Sequence, residues 1–241
     1  MKVIFLHGLL GTRDDWQKVI ENCPHLECVA LDLPFHGDAK QIAVQGFDDC
    51  SQYLADRIQS AVGNQPYFLL GYSLGGRLAL YFALQAECDK GNLRGLICEG
   101  ANLGLRDDAA RQVRWKNDAF WAQRFIHEPA QTVLNDWYQQ PVFAHLNATQ
   151  RAELIVKRTP NCGGNIGKML CATSLAKQPY LGDKVRSSSL PIYYIVGERD
   201  QKFRQMAEQE KLAVQLITRA GHNAHLENPR EFAAQLTALC G

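Results

Sequence analysis

The most informative part of the chain is Tyr67-Phe68-Leu69-Leu70 followed by Gly71-Tyr72-Ser73-Leu74-Gly75-Gly76. The four apolar residues are typical of a short strand buried on both faces, and the apolar pattern from Arg77 to Phe82 predicts a helix. A G-x-S-x-G sequence between a strand and a helix is typical of the strained turn that presents a nucleophilic serine, here Ser73. The glycines two positions before and after Ser73 are needed because side chains there would collide.

Five further short apolar runs predict strands of the same kind. They are Val3–Leu6, Cys28–Leu31, Gly95–Cys98, Ile192–Val196 and Val214–Ile217. Helical patterns lie between the runs, and the clearest extends from Phe47 to Val62, with one apolar stripe and with Asp48 or Asp49 placed to cap its start. This alternation predicts an α/β fold with a mostly parallel, doubly wound sheet.

The alternation stops in the middle of the chain, where helical patterns rich in Trp and Arg replace it. We therefore expect an α/β core formed by residues 1–101 and 190–241, interrupted by a helical cap over residues 102–189. Within the cap, Asn147 and Gln150 have the spacing of a capping box that opens a helix. The length of 241 residues is consistent with one domain that carries such an insertion.

Charge and composition exclude several function classes. The 26 basic and 25 acidic residues give a net charge of +1, which offers no bulk attraction for nucleic acid or for an anionic membrane. No apolar stretch approaches the ~18 residues of a transmembrane helix, and the segment before the first turn is too short for a signal peptide. We therefore expect a cytoplasmic protein that binds neither nucleic acid nor membrane.

The chain has eight cysteines, which are scattered and include no C-x-x-C pair. Without a secretory signal, free thiols in a reducing compartment are favoured over disulfides or a zinc site. These residues are Cys23, Cys28, Cys50, Cys88, Cys98, Cys162, Cys171 and Cys240.

A serine hydroxyl is a weak nucleophile or base, so it needs a histidine to take its proton and a carboxylate to orient the histidine. On a sheet of this kind the order along the chain is Ser, Asp, His, each following a strand. Asp200 follows the predicted strand that ends at Val196, and His222 lies in the loop after Ile217. The sequence therefore predicts a triad of Ser73, Asp200 and His222.

Other assignments of these roles remain open on the residues alone. His225 competes with His222 as the base, and Glu198 competes with Asp200 as the orienting carboxylate. A metal site built from the two histidines is disfavoured because no third ligand lies near them in sequence.

The loop after the first strand reads His7-Gly8-Leu9-Leu10-Gly11, which is typical of the loop that completes an oxyanion hole. The backbone N–H groups of Leu9 and Leu74 are expected to point at developing negative charge, and His7 is expected to hold the loop.

Arg77 lies one helical turn after the serine. A buried guanidinium there suits an anionic substrate, because burying the charge without an anionic partner is costly.

The triad and this loop resemble the α/β-hydrolase superfamily, which hosts esterases, thioesterases and non-hydrolytic enzymes on one fold. Longer strings narrow the resemblance to the family of 2-succinyl-6-hydroxy-2,4-cyclohexadiene-1-carboxylate synthases of menaquinone biosynthesis. They are Gly71-Tyr72-Ser73-Leu74-Gly75-Gly76-Arg77, Trp137-Tyr138-Gln139-Gln140-Pro141-Val142-Phe143, Gly197-Glu198-Arg199-Asp200-Gln201-Lys202-Phe203 and Ala220-Gly221-His222-Asn223-Ala224-His225.

This resemblance implies a lyase that removes pyruvate from a small tricarboxylate substrate and needs no cofactor or metal. It also implies that the triad acts as a base on a proton next to a carbonyl, and we expect a monomer. The carboxylate-binding residues that it implies are Arg77, Arg114 and Arg158, and the pocket walls that it implies are Tyr72, Trp137, Tyr138 and Phe143.

Two departures from the family accompany the resemblance. The chain begins at the strand before His7, which predicts a sheet one or two strands smaller than is common in the superfamily. Ala101-Asn102-Leu103, at the entrance to the cap, differs from the sequence expected in close relatives.

Two other functions stay open on the residues alone. One is a thioesterase or carboxylesterase that uses the same triad through an acyl-enzyme, and the other is a non-catalytic binding protein on a hydrolase scaffold.

Overall fold

The computed structural model describes residues 1–161 and 163–241, and within them it forms one six-stranded sheet in which every pairing is parallel. The strand order is β2-β1-β3-β4-β5-β6. All six predicted strands and the α/β class are confirmed. The strands are β1 Lys2–Leu6, β2 Glu27–Leu31, β3 Tyr67–Tyr72, β4 Leu93–Glu99, β5 Ile192–Gly197 and β6 Val214–Ile217.

Helices connect the strands and cover both faces of the sheet. They are α1 Gln17–Glu21, α2 Phe47–Val62, α3 Leu74–Leu84, α4 Asp108–His127, α5 Ala130–Trp137, α6 Ala148–Arg158, α7 Gly164–Ala172, α8 Gly182–Ser187, α9 Gln201–Gln209, α10 Ala224–Glu227 and α11 Pro229–Cys240. Two layers of apolar side chains result, one between the sheet and α2 and α3, and one between the sheet and α1 and α11. Burial on both faces explains why the strands are continuous apolar runs.

Helix α2 buries the apolar stripe that the sequence predicts, but the predicted cap is wrong. The N-cap is Gly46, which has no side chain to accept a hydrogen bond, and Asp49 instead accepts from the backbone N–H of Gln45 at 2.7 Å. Asp48 accepts from the hydroxyl of Tyr81 at 2.8 Å. Both carboxylates thus lie within the first turn, where the helix dipole favours them without a capping bond.

Helices α4 to α8 fill the chain between β4 and β5, where the sequence predicts a helical cap. The capping box is confirmed, because the side chains of Asn147 and Gln150 each accept a backbone N–H of the other residue. Trp121, Phe125 and Ile155 belong to a third apolar cluster that reaches the core loop at Leu10. The division into core and cap remains our interpretation of this arrangement.

The cysteines within residues 1–161 and 163–241 are free thiols. Cys162 lies outside the described residues, so the expectation for its thiol stays a prediction. In the same part of the chain, no helix is long and apolar enough to cross a membrane.

Candidate active site

The turn between β3 and α3 holds Ser73 in the left-handed region, with φ at +50°, and the Ser73 N–H donates to the Glu99 carbonyl at 2.8 Å. A Cβ on Gly71 would lie 2.4 Å from the Gly75 carbonyl, and a Cβ on Gly75 would lie 2.5 Å from the His7 carbonyl oxygen. Both approaches are closer than real Cβ atoms allow. The prediction that this turn needs both glycines is therefore confirmed.

Asp200 and His222 meet at the carboxyl ends of β5 and β6. The Nδ1–H of His222 donates to Asp200 Oδ2 at 2.8 Å, and both side chains are buried. The other carboxylate oxygen, Oδ1, caps α9 by accepting the Phe203 N–H at 3.2 Å. The Phe203 ring stacks on the imidazole at 5.0 Å between centroids. This environment fixes the ring and leaves Nε2 as the nitrogen that can take a proton.

Ser73 and His222 both line one cavity of about 140 Å³. Leu9 and Leu74, the predicted oxyanion-hole residues, line the same cavity, as do the aromatic side chains of Trp137 and Phe143. The structure therefore brings the predicted serine, the imidazole and both predicted amide donors to one place. The role of each group in catalysis stays a prediction.

The competing residues have other partners. His225 is buried, its Nδ1 lies 2.8 Å from Glu99 Oε2, and its ring stacks on Trp16 at 4.4 Å. The carboxylate of Glu198 accepts the Arg219 N–H at 2.9 Å, so Asp200 is the acid that contacts His222. Among the described residues, no group of three or more His, Cys, Asp or Glu side chains is arranged to hold a metal ion.

Two buried histidines hold the loop that is predicted to complete an oxyanion hole. His7 Nε2 accepts the Leu33 N–H at 3.0 Å, and His36 Nε2 accepts the Leu10 N–H at 3.3 Å. Each ring then donates its Nδ1–H to a nearby carbonyl, that of Gly8 for His7 and that of Pro34 for His36, both at 2.8 Å. Burial lowers the pKa of both rings, that of His36 to about 3, so both are neutral at pH 7. This is the loop-holding role expected for His7.

Two of the predicted arginines line the cavity. Arg77 is buried, and its Nη1 donates to the Thr173 carbonyl at 2.9 Å and to the Gln178 side chain at 3.3 Å. Desolvation lowers the pKa of Arg77, and the positive charge of Arg114 lowers it further. Arg114 itself is paired with Asp118 at 2.7 Å. Among the described residues no carboxylate forms a salt bridge with Arg77, and Asp118 acts on its charge only through space.

The third arginine lies elsewhere. Arg158 is buried in an ion pair with Asp15 at 2.7 Å and is not among the residues that line the cavity. Tyr138 packs on Phe143 at 4.9 Å between ring centroids, and the Tyr72 hydroxyl donates to Asn223; both tyrosines are buried behind the cavity wall. Their predicted contact with substrate stays a prediction.

Lys202 is the main residue of the cavity wall that sequence patterns did not single out. It lies two positions after Asp200 in the first turn of α9, within one of the strings that resemble the synthase family. The available signal was that spacing, since a side chain in the first turn of a helix capped by Asp200 starts beside the site. Thr173 and Gln140 also line the cavity and had no comparable signal.

Comparisons with known proteins agree with this geometry. The family model described as alpha/beta hydrolase fold matches residues 2–229. A Haemophilus influenzae protein whose name provisionally assigns it as a 2-succinyl-6-hydroxy-2,4-cyclohexadiene-1-carboxylate synthase is 58% identical, over 98% of this chain and 96% of its own length. The Yersinia enterocolitica synthase of that name is 47% identical, over 96% of this chain and 84% of its own length.

Solved structures give the same picture at the level of the fold. MenH from S. aureus superposes with a TM-score of 0.88 at 25% identity, over 99% of this chain and 92% of that one. An esterase from Thermogutta terrifontis has a TM-score of 0.78 at 20% identity, over 100% of this chain and 89% of that one, and shows the fold alone. The chain therefore belongs to the α/β-hydrolase fold family and, within it, to the family of 2-succinyl-6-hydroxy-2,4-cyclohexadiene-1-carboxylate synthases.

Proposed function

We propose that this protein is a carbon–oxygen lyase of menaquinone biosynthesis. It eliminates pyruvate from 2-succinyl-5-enolpyruvyl-6-hydroxy-3-cyclohexene-1-carboxylate and leaves 2-succinyl-6-hydroxy-2,4-cyclohexadiene-1-carboxylate. The names of the relatives support this reaction. We further propose that it acts as a monomer on this small tricarboxylate in the cytoplasm, a reducing compartment that its free thiols favour.

The proposed chemistry starts at the ring carbon next to the succinyl carbonyl. Ser73, with its proton passed to His222 Nε2, removes the ring proton, and Asp200 stabilises the imidazolium that forms. The electron pair forms a double bond between C2 and C3, the existing C3–C4 double bond shifts to C4–C5, and the C5–O bond to the enolpyruvyl group breaks. The enolate that departs is protonated to pyruvate. The amides of Leu9 and Leu74 hold the negative charge that develops on the carbonyl oxygen.

One observation carries the choice of substrate class: the buried guanidinium of Arg77 lies in the same cavity as Ser73 and His222. A buried charge without a counter-ion is expensive, so a ligand carboxylate is the partner that makes its burial favourable. A charge-assisted hydrogen bond of this kind contributes about 1.5–3 kcal/mol. An esterase acting on neutral substrates has no use for that charge.

Pyruvate release from the authentic precursor tests the proposal, followed with lactate dehydrogenase and NADH. Ser73→Ala and His222→Ala are each expected to lower kcat by about 10²–10⁴, because each removes the base. Arg77→Ala is expected to raise KM as well as to lower kcat, because it removes a ligand of the substrate. The exposed Lys116→Met on α4 serves as a control. An active Ser73→Ala enzyme would exclude the serine as the base.

Acyl-enzyme chemistry is the alternative that the same triad allows. It predicts a burst of product with an activated ester and poor turnover of the enolpyruvyl precursor. Fast pyruvate release without an ester burst supports the lyase. A triad that fails to react with a fluorophosphonate would instead indicate a binding protein.

A further inference from the structure

The cationic side chains of the catalytic cavity differ in their partners. Arg114 forms a salt bridge with Asp118, whereas neither Arg77 nor Lys202 forms a salt bridge among the described residues. Asp118 acts on both of these charges only through space, and Asp200 acts on that of Lys202 in the same way. Desolvation lowers the pKa of the Lys202 ammonium, and the positive charge of Arg114 lowers it further. The cavity therefore holds an excess of positive charge on two walls, one at Arg77 and the other at Lys202.

Lys202 also lines a second space, which we call the outer groove. It has a volume of about 710 Å³ and runs along α9 and the turn after Gln140. Lys202 and Val142 line both the catalytic cavity and the outer groove, so they mark the boundary between the two. Arg199 and Arg204 also line the groove, as do the acidic Glu198 and Asp200, so basic side chains outnumber acidic ones by a single charge. The groove thus adjoins the catalytic cavity and has a small excess of positive charge.

We propose that Lys202 binds the carboxylate of the departing enolpyruvyl group at this boundary and that pyruvate leaves through the outer groove. The identity of the leaving group rests on the proposed function, whereas a carboxylate site at Lys202 does not. Lys202 is then a substrate-binding residue in addition to those that the family resemblance implies.

The size of the catalytic cavity supports this assignment. Its 140 Å³ is below the roughly 300–1,000 Å³ of typical ligand pockets, so part of a tricarboxylate substrate must extend out of it. Arg77 lies at the buried end, beside Thr173 and Gln178. We assign the ring and its succinyl arm to that side. The group that must leave is best placed toward the open side, where Lys202 lies.

The position of Lys202 relative to the base also supports it. The Lys202 ammonium lies 5.4 Å from the centroid of the Phe203 ring, which in turn stacks on His222. A carboxylate at Lys202 is therefore close to the base and separated from it by one aromatic ring. An ammonium there attracts the anion as the C–O bond breaks, without making a salt bridge to the triad acid.

The test uses protection of Ser73 from a fluorophosphonate, which reads binding without requiring lyase turnover. In the wild-type protein, pyruvate is expected to slow labelling of Ser73. In Lys202→Met the pyruvate concentration for half-protection is expected to rise about tenfold or more, as loss of a charge-assisted bond predicts. Lys202→Arg keeps the charge and is expected to retain protection, as is the surface control Lys116→Met.

Succinate provides a second, independent measurement. It mimics the succinyl group of the substrate, which we assign to the Arg77 side of the cavity. Its protection is expected to be unchanged in Lys202→Met. The proposal is overturned if pyruvate does not protect the wild type, if Lys202→Met keeps full protection by pyruvate, or if the loss falls on succinate instead. Protection in each variant is expressed relative to the labelling rate of that same variant without ligand, and an unchanged thermal unfolding midpoint shows that Lys202→Met is folded.

Turnover of the enolpyruvyl precursor separates the two proposals. If the lyase reaction is absent but pyruvate protection depends on Lys202, the carboxylate site stands and the proposed function fails. If turnover is normal in Lys202→Met and its KM is unchanged, the site fails and the proposed function stands. We expect Lys202→Met to raise KM and to lower kcat, and Lys202→Arg to restore most of both.

Discussion

At the scale of single residues, the His222 imidazole is positioned by main chain as well as by Asp200. Gly100 follows β4 directly and has φ of +53°, and a Cβ on it would lie 2.8 Å from His222 Cε1. The backbone at the end of β4 therefore forms one wall of the space that holds the ring. A side chain at this position must displace His222.

We predict that Gly100→Ala loses most of its kcat because the imidazole moves away from Ser73. Gly63→Ala is the matched control, since Gly63 has φ of +56° and a Cβ on it would have no atom within 4 Å. Both variants should lose on the order of 1–3 kcal/mol of folding free energy from backbone with positive φ, but only Gly100→Ala should lose activity. Thermal unfolding and pyruvate release measure the two effects. Equal activity in both variants would show that this contact does not position the ring.

At the scale of elements, α6 contacts the core through Asp15, which pairs with the buried Arg158 and with the more exposed Lys157. Arg158 is the last residue of α6, and Asp15 lies in the 3₁₀ turn Arg13–Trp16 that precedes α1. Desolvation alone would raise the pKa of Asp15, but the charge and hydrogen bond of Arg158 outweigh it and hold that pKa well below its usual range. The ion pair therefore contributes stability above the ordinary carboxyl pKa, and the contribution is lost only in strong acid.

We predict that Asp15→Asn destabilises the protein by about 3–5 kcal/mol, because it leaves the Arg158 guanidinium buried without its counter-ion. Adding Arg158→Met to Asp15→Asn should recover part of the loss, since it removes the unpaired charge. Urea unfolding of the two single variants and the double variant measures the coupling. Additive losses in the double variant would show that the pair does not act as a unit.

At the scale of the entire protein, the two loop-holding histidines make stability depend on pH. An unfolded histidine titrates near 6.5, whereas burial holds the pKa of His36 at about 3 and lowers that of His7. Between these values the unfolded chain binds more protons than the folded one, so stability falls as the pH falls. His36 contributes a slope of about 1.4 kcal/mol per pH unit in this range, and His7 adds to it in the same direction.

We therefore predict that the free energy of unfolding decreases steadily from pH 6.5 toward pH 4. His36→Gln offers an acceptor for the Leu10 N–H without a proton of its own to gain, so its slope should be lower by about one proton. Urea unfolding at intervals of half a pH unit measures both slopes. Parallel slopes for the variant and the wild type would exclude His36 as a source of the acid sensitivity.

Much of the fold and of the site follows from local sequence. Each strand is a continuous apolar run because it is buried on both faces, and the turn at Ser73 is set by glycines that no other residue can replace. The capping box of α6 is a contact between Asn147 and Gln150, three positions apart. The positions of Asp200 and His222 follow from the rule that functional residues lie at the carboxyl ends of parallel strands.

The α/β class, the six strands and the candidate triad could thus be predicted from the chain alone, because they depend on periodicity, turn chemistry and chain order. The pairing of charged side chains could not be predicted in this way. In the folded protein Arg158 pairs with Asp15 and His225 pairs with Glu99. Arg77 and Lys202 line the cavity without a salt bridge to a carboxylate among the described residues. A charge interacts through space with whatever folding brings near it. That proximity is set by how distant elements pack, and no local pattern records it.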